Sequence, residues 1–365
     1  MAIRLAVPKE HEQNEKRVAL VPDVALRLIQ KGFEICLESN AGLNAGFPDA
    51  LYEKAGVKIE KDRGALFKNA QVILTVQTPG EEEIAAFSTG QIVIGFISEH
   101  RHPKRVAKMR EKKIVSFAME LIPRVTRAQS MDALSSQSTV AGYKAALIAA
   151  NLSGRFFPML TTAAGTIRPV KALIFGAGVA GLQAIATAKR LGAVVEAYDV
   201  RRAVKEQVQS LGARFLEIAV DAESQGGYAR ELTPEEKKLE QEMVSQHVGQ
   251  ADVVITTAQI PGRPAPRLIT EEMVAQMKPG SVIIDMAAES GGNCSLTKPG
   301  ETIDKNGVTI FGPINLPSLL PFHASEMYSK NIFNFLNLLT KEGKSLEPDW
   351  KDEIIAKSVL TGGPA

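Results

Sequence analysis

Two stretches of this chain hold side chains whose type and spacing suit chemistry. The first is Gly176-x-Gly178-x-x-Gly181, which follows the apolar run 172–175 and precedes a helically spaced run through Leu182, Ile185, Ala186 and Ala188. A second apolar run, 194–198, ends at Asp199. Strand, glycines, helix, strand and acid in that order fit a dinucleotide site. Gly176 permits the tight turn, Gly178 lets the backbone approach a pyrophosphate, and Gly181 lets helix and strand pack closely. The helix start adds free N–H groups and the positive end of a dipole. Asp199 stands at the distance where an acid accepts from the adenosine ribose, which favours NAD(H) over NADP(H). Arg201 and Arg202 follow at once, and either is able to hold a 2′-phosphate instead. Ala177, Val179 and Val200 flank these positions and belong to the same candidate site. The bland alternative is a glycine turn in an α/β domain without a ligand.

The second stretch is 124–137. With a helix starting near Met131, Asp132, Ser135 and Ser136 share one face at i, i+3 and i+4. Arg124 and Gln129 come just before. A cation, an amide, a carboxylate and hydroxyls are thereby gathered where they could address a nicotinamide carboxamide and ribose. The competing explanation is plain helix capping, since Ser and Asp favour helix starts. His11, His100, His102, His247 and His323 lack metal-ligand spacing, so no metal site is expected. There is no nucleophile elbow and no phosphate-binding lysine loop.

The elements that must position these residues follow from the alternation of apolar strand runs with helical spacing. With 365 residues, 45% hydrophobic and 23% charged, the chain has room for two α/β domains. The expected fold is two Rossmann-like, doubly wound domains with mostly parallel sheets, joined by long bridging helices over about 131–151 and 316–339, the second broken near Pro321. Residues 1–136 with 328–365 are expected to form one domain and 137–327 the other, with the ligand in the cleft between them. A net charge of +2 gives no reason to expect nucleic acid. Cys36 and Cys294 have no partner motif, so a reducing, cytoplasmic setting is expected. Neither a signal peptide nor a run of spanning length is apparent, so no direct membrane insertion is expected.

Pro8-Lys9-Glu10, the run 15–20 and the Gly176 fingerprint resemble the alanine dehydrogenase and transhydrogenase superfamily. The segments 124–137, 141–143, 260–266 and 289–294 narrow the likeness to the NAD(H)-binding component of the proton-translocating NAD(P) transhydrogenases. The resemblance implies that Arg124, Gln129, Asp132 and Ser135 lie on the nicotinamide side. It places Gly176, Ala177, Gly178, Val179, Gly181, Asp199, Val200, Arg201 and Ala258 against the nucleotide, with Tyr228 in a loop that closes over it. It further implies a homodimer and direct, Re/Si-specific hydride transfer to NADP(H) held by a partner component. A membrane-spanning component would couple that transfer to proton movement, with this chain peripheral on the inner membrane. An amino-acid dehydrogenase of the alanine type is the alternative. It needs a lysine and a histidine at adjacent strand ends, where this chain has Gln77 and Ser98, although Arg17 is present. A non-catalytic NAD(H) sensor is a third reading, one with no use for the polar cluster at 124–135.

Overall fold

The computed structural model describes residues 2–217, 234–259, 263–341 and 345–363. The chain divides into two units, residues 1–137 with 317–365, and residues 138–316. The helix Ala133–Leu152 carries the chain out of the first unit. The return falls in a 3₁₀ turn, Leu316–Leu319, ahead of the helix Pro321–Leu339, whose proline takes the first helical position.

The first unit holds a seven-stranded sheet. Its spatial order is Val359–Thr361, Val115–Ala118, Ile92–Gly95, Val72–Leu74, Arg4–Val7, Glu34–Glu38 and Lys58–Glu60. All pairings are parallel except that of Val359–Thr361, which closes the Val115–Ala118 edge antiparallel and joins Thr361 to Ser116 by a 2.8 Å hydroxyl contact. From Arg4–Val7 the chain winds outward to Lys58–Glu60, then reverses to Val72–Leu74 on the other side. That reversal is a topological switch point. The helix Pro321–Leu339 buries Tyr328, Ile332, Phe335, Leu336 and Leu339 at i, i+4, i+7, i+8 and i+11 in one cluster with Leu5 and Leu37 of the sheet.

The second unit repeats the plan, in the order Arg214–Phe215, Val194–Tyr198, Lys171–Phe175, Val253–Thr256, Val282–Asp285, Val308–Phe311 and Thr302–Lys305. Val253–Thr256 and Val282–Asp285 are buried along their whole length, as strands covered on both faces must be. Burying each Val or Ile there contributes about 1.5–3 kcal/mol. Thr302–Lys305 is the antiparallel exception, joined to Val308–Phe311 through Asn306 and Gly307, both at positive φ. That two-residue turn matches strand twist and needs residues that tolerate φ > 0. The switch point of this sheet lies between Lys171–Phe175 and Val253–Thr256.

Candidate functional site

In the second unit, the strand Lys171–Phe175 runs into Gly176 at φ +89°. Its amide donates to Tyr198 O at 2.8 Å, which ties the turn to the neighbouring strand. Thr257, just past Val253–Thr256, donates its hydroxyl to Phe175 O and sits where a Gly176 Cβ would come within 2.4 Å. Gly181 is tighter: a Cβ there would lie 1.8 Å from Gly176 O. At Gly178, the N-cap of helix Val179–Arg190, a Cβ would meet nothing within 4 Å, and φ is an ordinary −77°. Two glycines are therefore required by the fold, while Gly178 faces open space at the amino end of a helix. No acidic residue occupies the first turn, so the positive end of the dipole stays uncompensated from within the helix. Open space at a helix start is what a pyrophosphate would need.

Asp199 follows Val194–Tyr198 and is buried at its carboxylate. Oδ2 accepts from Ala177 N–H at 2.7 Å, and Oδ1 from the Arg201 amide at 2.8 Å. The Arg201 guanidinium adds Nε to Oδ1 at 3.0 Å and Nη2 to Oδ2 at 2.9 Å. Burial pushes the carboxyl up, but the bonds from Arg201 and Ala177 outweigh it and hold Asp199 below its usual range. Val179 and Val200 are exposed beside the turn. Ala258 is pinned by Asn293, whose side chain accepts from Ala258 N–H at 3.1 Å and donates to Ala258 O at 2.9 Å and Pro266 O at 2.8 Å. Asn293 is wholly buried. Its role is not apparent from sequence, where an amide directly after two glycines is the available signal. Tyr228 lies outside the described residues, as do 260–262 of the proline-rich loop.

In the first unit, Arg124 and Gln129 are exposed, Gln129 on a 3₁₀ turn Thr126–Met131. The long helix starts at Ala133, later than the spacing suggests, because Asp132 serves as its cap. Asp132 Oδ1 accepts the Ser135 amide at 2.9 Å and Oδ2 the Ser135 hydroxyl at 2.6 Å. Capping and the candidate cluster thus coincide in Asp132 and Ser135. Ser136 turns elsewhere, to Asn331 Oδ1 at 2.7 Å.

The strand ends of this unit carry a charged network that sequence reaches only through Arg17 and Gln77. Arg17 is 4% exposed. It donates Nε and Nη2 to Glu15 at 2.8 and 2.6 Å, and Nη1 to Gln137 Oε1 at 2.8 Å. Gln77 donates its amide to Glu15 Oε2 at 2.7 Å. Burial opposes the charge on Glu15, but the Arg17 charge and these bonds bring it down to about 2. At the switch point, Glu10 accepts from the amides of Val76 and Gln77 and lines a cavity of about 220 Å³ with Thr75, Gln77 and Arg105. Burial, with the Glu15 charge adding to it, pushes Glu10 up to about 8. Ser98, at φ +46°, gives its amide to Glu120. The arginine thus gives three of its five N–H donors to Glu15 and Gln137, and the neutral amide of Gln77 stands beside it on the same glutamate.

Residues 6–141 match the family described as Alanine dehydrogenase/PNT, N-terminal domain, and residues 145–363 match Alanine dehydrogenase/PNT, C-terminal domain. The chain is 46% identical over 369 residues to the first portion of the divided NAD(P) transhydrogenase subunit alpha of Rhodospirillum rubrum, covering 98% of this chain and 96% of that protein. It superimposes on the crystal structure of transhydrogenase from Sinorhizobium meliloti with a TM-score of 0.91 and 42% identity, over 99% of both chains. Alanine dehydrogenase of Bacillus subtilis is more distant, 31% identical over 326 residues, or 87% of this chain and 80% of that one.

Proposed function

This chain belongs to the alanine dehydrogenase/PNT family, on its transhydrogenase alpha-subunit branch, and on that premise we propose that it is the NAD(H)-holding half of a direct hydride-transfer enzyme. Its partner component would hold NADP(H), and a membrane-spanning component would couple the transfer to proton movement. The chain would sit at the inner membrane through those partners; among the described residues no helix is long and apolar enough to cross a membrane. The observation that carries the reading is the Glu15–Arg17–Gln77–Gln137 network. Oxidising an amino acid requires a free cation for its carboxylate and a group that moves a proton at its nitrogen. Here the Arg17 charge is already paired with Glu15 and its fork also bonds Gln137, and the Gln77 amide is neither an acid nor a base near neutral pH.

When bound, NADH supplies a hydride from its nicotinamide, and transfer to a second nicotinamide changes no proton on oxygen or nitrogen. What remains for the protein is placement and exclusion of water. Gly176, Gly178 and Gly181 would admit the pyrophosphate to the helix start, with Ala177, Val179 and Ala258 framing it. Asp199 and Val200 would receive the adenosine ribose. Arg124, Gln129, Asp132 and Ser135 would orient the nicotinamide end. The Asp132–Ser135 bonds fix both rotamers before any ligand arrives, so little ordering remains at the moment of transfer. Homodimerisation belongs to the same reading. The hairpin of Leu160–Thr162 and Gly165–Ile167 is preceded by Phe156 and Met159, and Phe156, Met159 and Ile167 are 55, 64 and 43% exposed. An apolar edge of that kind suits a second copy.

The reading is tested by supplying L-alanine and NAD⁺ to the pure chain while following NADH absorbance, with NADH binding measured in parallel by calorimetry. Tight NADH binding without alanine-dependent turnover is expected. Alanine-dependent NADH formation at ordinary enzyme rates would restore the dehydrogenase reading.

A further inference from the structure

The Asp199 carboxylate has no capacity left for a ribose. Two carboxylate oxygens offer about four acceptor positions, and four N–H groups already fill them: Ala177 N and Arg201 Nη2 on Oδ2, Arg201 N and Nε on Oδ1, at 2.7–3.0 Å. Two of the four are backbone bonds built into the turn and the strand end. The other two come from one side chain. We infer that the Arg201 guanidinium is a reversible latch that stands in for the adenosine 2′-hydroxyl on Asp199 and must leave before that hydroxyl can bond there. The inference rests on the nucleotide-binding reading above and adds a specificity-determining residue to it.

The asymmetry of the pair supports a latch over a fixed strut. The Asp199 side chain is 5% exposed and held by Ala177, whereas the Arg201 side chain is 59% exposed. A long, solvated side chain can swing into water at small cost, while the carboxylate cannot move. The same planar fork that satisfies a carboxylate also satisfies a phosphate. Once displaced, Arg201 is therefore free to meet a 2′-phosphate, which would otherwise face Asp199 unshielded. One residue thus weakens NADH binding and softens the rejection of NADPH. Exposed ion pairs of this kind contribute little, so the effect on affinity is about two- to fivefold.

Calorimetric titration of the full chain and of Arg201→Gln with NADH, NADPH and a 2′-deoxyadenosine analogue of NADH tests this. The variant is expected to bind NADH about two- to fivefold more tightly and NADPH more weakly. Its gain should vanish for the 2′-deoxy analogue, which brings no 2′-hydroxyl to compete for Asp199. A purely structural role for Arg201 would not produce that dependence on one hydroxyl. Unchanged or weaker NADH binding by Arg201→Gln, or an equal gain with the deoxy analogue, would overturn the latch. Failure of the unaltered chain to bind NADH at all would instead overturn the nucleotide reading on which the latch depends.

Discussion

The three fingerprint glycines do different work, and a pair of alanine substitutions separates the work. A Cβ at Gly178 meets nothing within 4 Å and sits at φ −77°, which any residue adopts. Gly178→Ala removes backbone freedom from the unfolded chain without straining the folded one, a change of about 0.4–1 kcal/mol toward stability. For a unit of this size the ligand-free Tm should hold or rise by up to about 4 °C. At Gly181 the added Cβ would lie 1.8 Å from Gly176 O, far inside the 3.0 Å that real contacts respect. Helix and strand must then move apart, at a cost of about 1–3 kcal/mol, or roughly 2–12 °C of Tm. NADH binding should respond differently. The Gly178→Ala methyl projects into the space that the pyrophosphate needs, so affinity falls at least about tenfold in a protein that is no less stable. Differential scanning fluorimetry without ligand, followed by NADH titration, reads both quantities. Wild-type affinity in Gly178→Ala would refute the placement of the phosphates, and loss of stability there would refute the claim of open space.

Asp132→Asn keeps a good cap, since Asn and Asp are equivalent at that position. The fold and NADH binding should therefore persist while hydride transfer in the reconstituted enzyme falls by about tenfold or more; transfer at the wild-type rate would remove Asp132 from the mechanism. The pKa of Glu10 is raised to about 8, so the folded state holds its proton where the unfolded chain has released it. Stability from this group is complete below the ordinary glutamate pKa and falls as pH rises toward 8, by at most about 1.4 kcal/mol per pH unit. Chemical denaturation from pH 5 to 8 should show that slope flattened in Glu10→Gln, and an identical slope in both proteins would contradict it. Glu15 acts in the opposite sense, its contribution present at neutral pH and lost only as pH drops from the ordinary glutamate range toward 2. Met159→Asp with Ile167→Asp should convert a dimer to monomers in light scattering while leaving the circular dichroism spectrum unchanged; a persisting dimer would place the contact elsewhere.

The buried parallel strands were legible as short apolar runs: 172–175 and 194–198 match Lys171–Phe175 and Val194–Tyr198 to within one residue. The edge strands Lys58–Glu60 and Thr302–Lys305 were not. Half exposed and rich in charge, they lack the apolar signal that burial imposes. The short helices Arg63–Lys68 and Glu271–Ala275 likewise announce themselves only by their caps, Asp62 and Thr270. At the candidate site, the spacing of glycines and acid was local and therefore readable. What Asp199 and Arg17 are bonded to was not. Arg17 meets Gln137 across 120 positions, and spacing cannot report such a pairing. The saturation of Asp199 by Arg201 lies only two residues away, yet it depends on a rotamer that sequence does not specify.

The most direct measurement is NADPH-driven reduction of an NAD⁺ analogue, first with this chain alone and then with an NADP(H)-binding transhydrogenase component added. An NAD(H)-holding half should give no transfer alone and rapid transfer in the mixture. Silence in the mixture, with both nucleotides bound to their own components, would contradict that role.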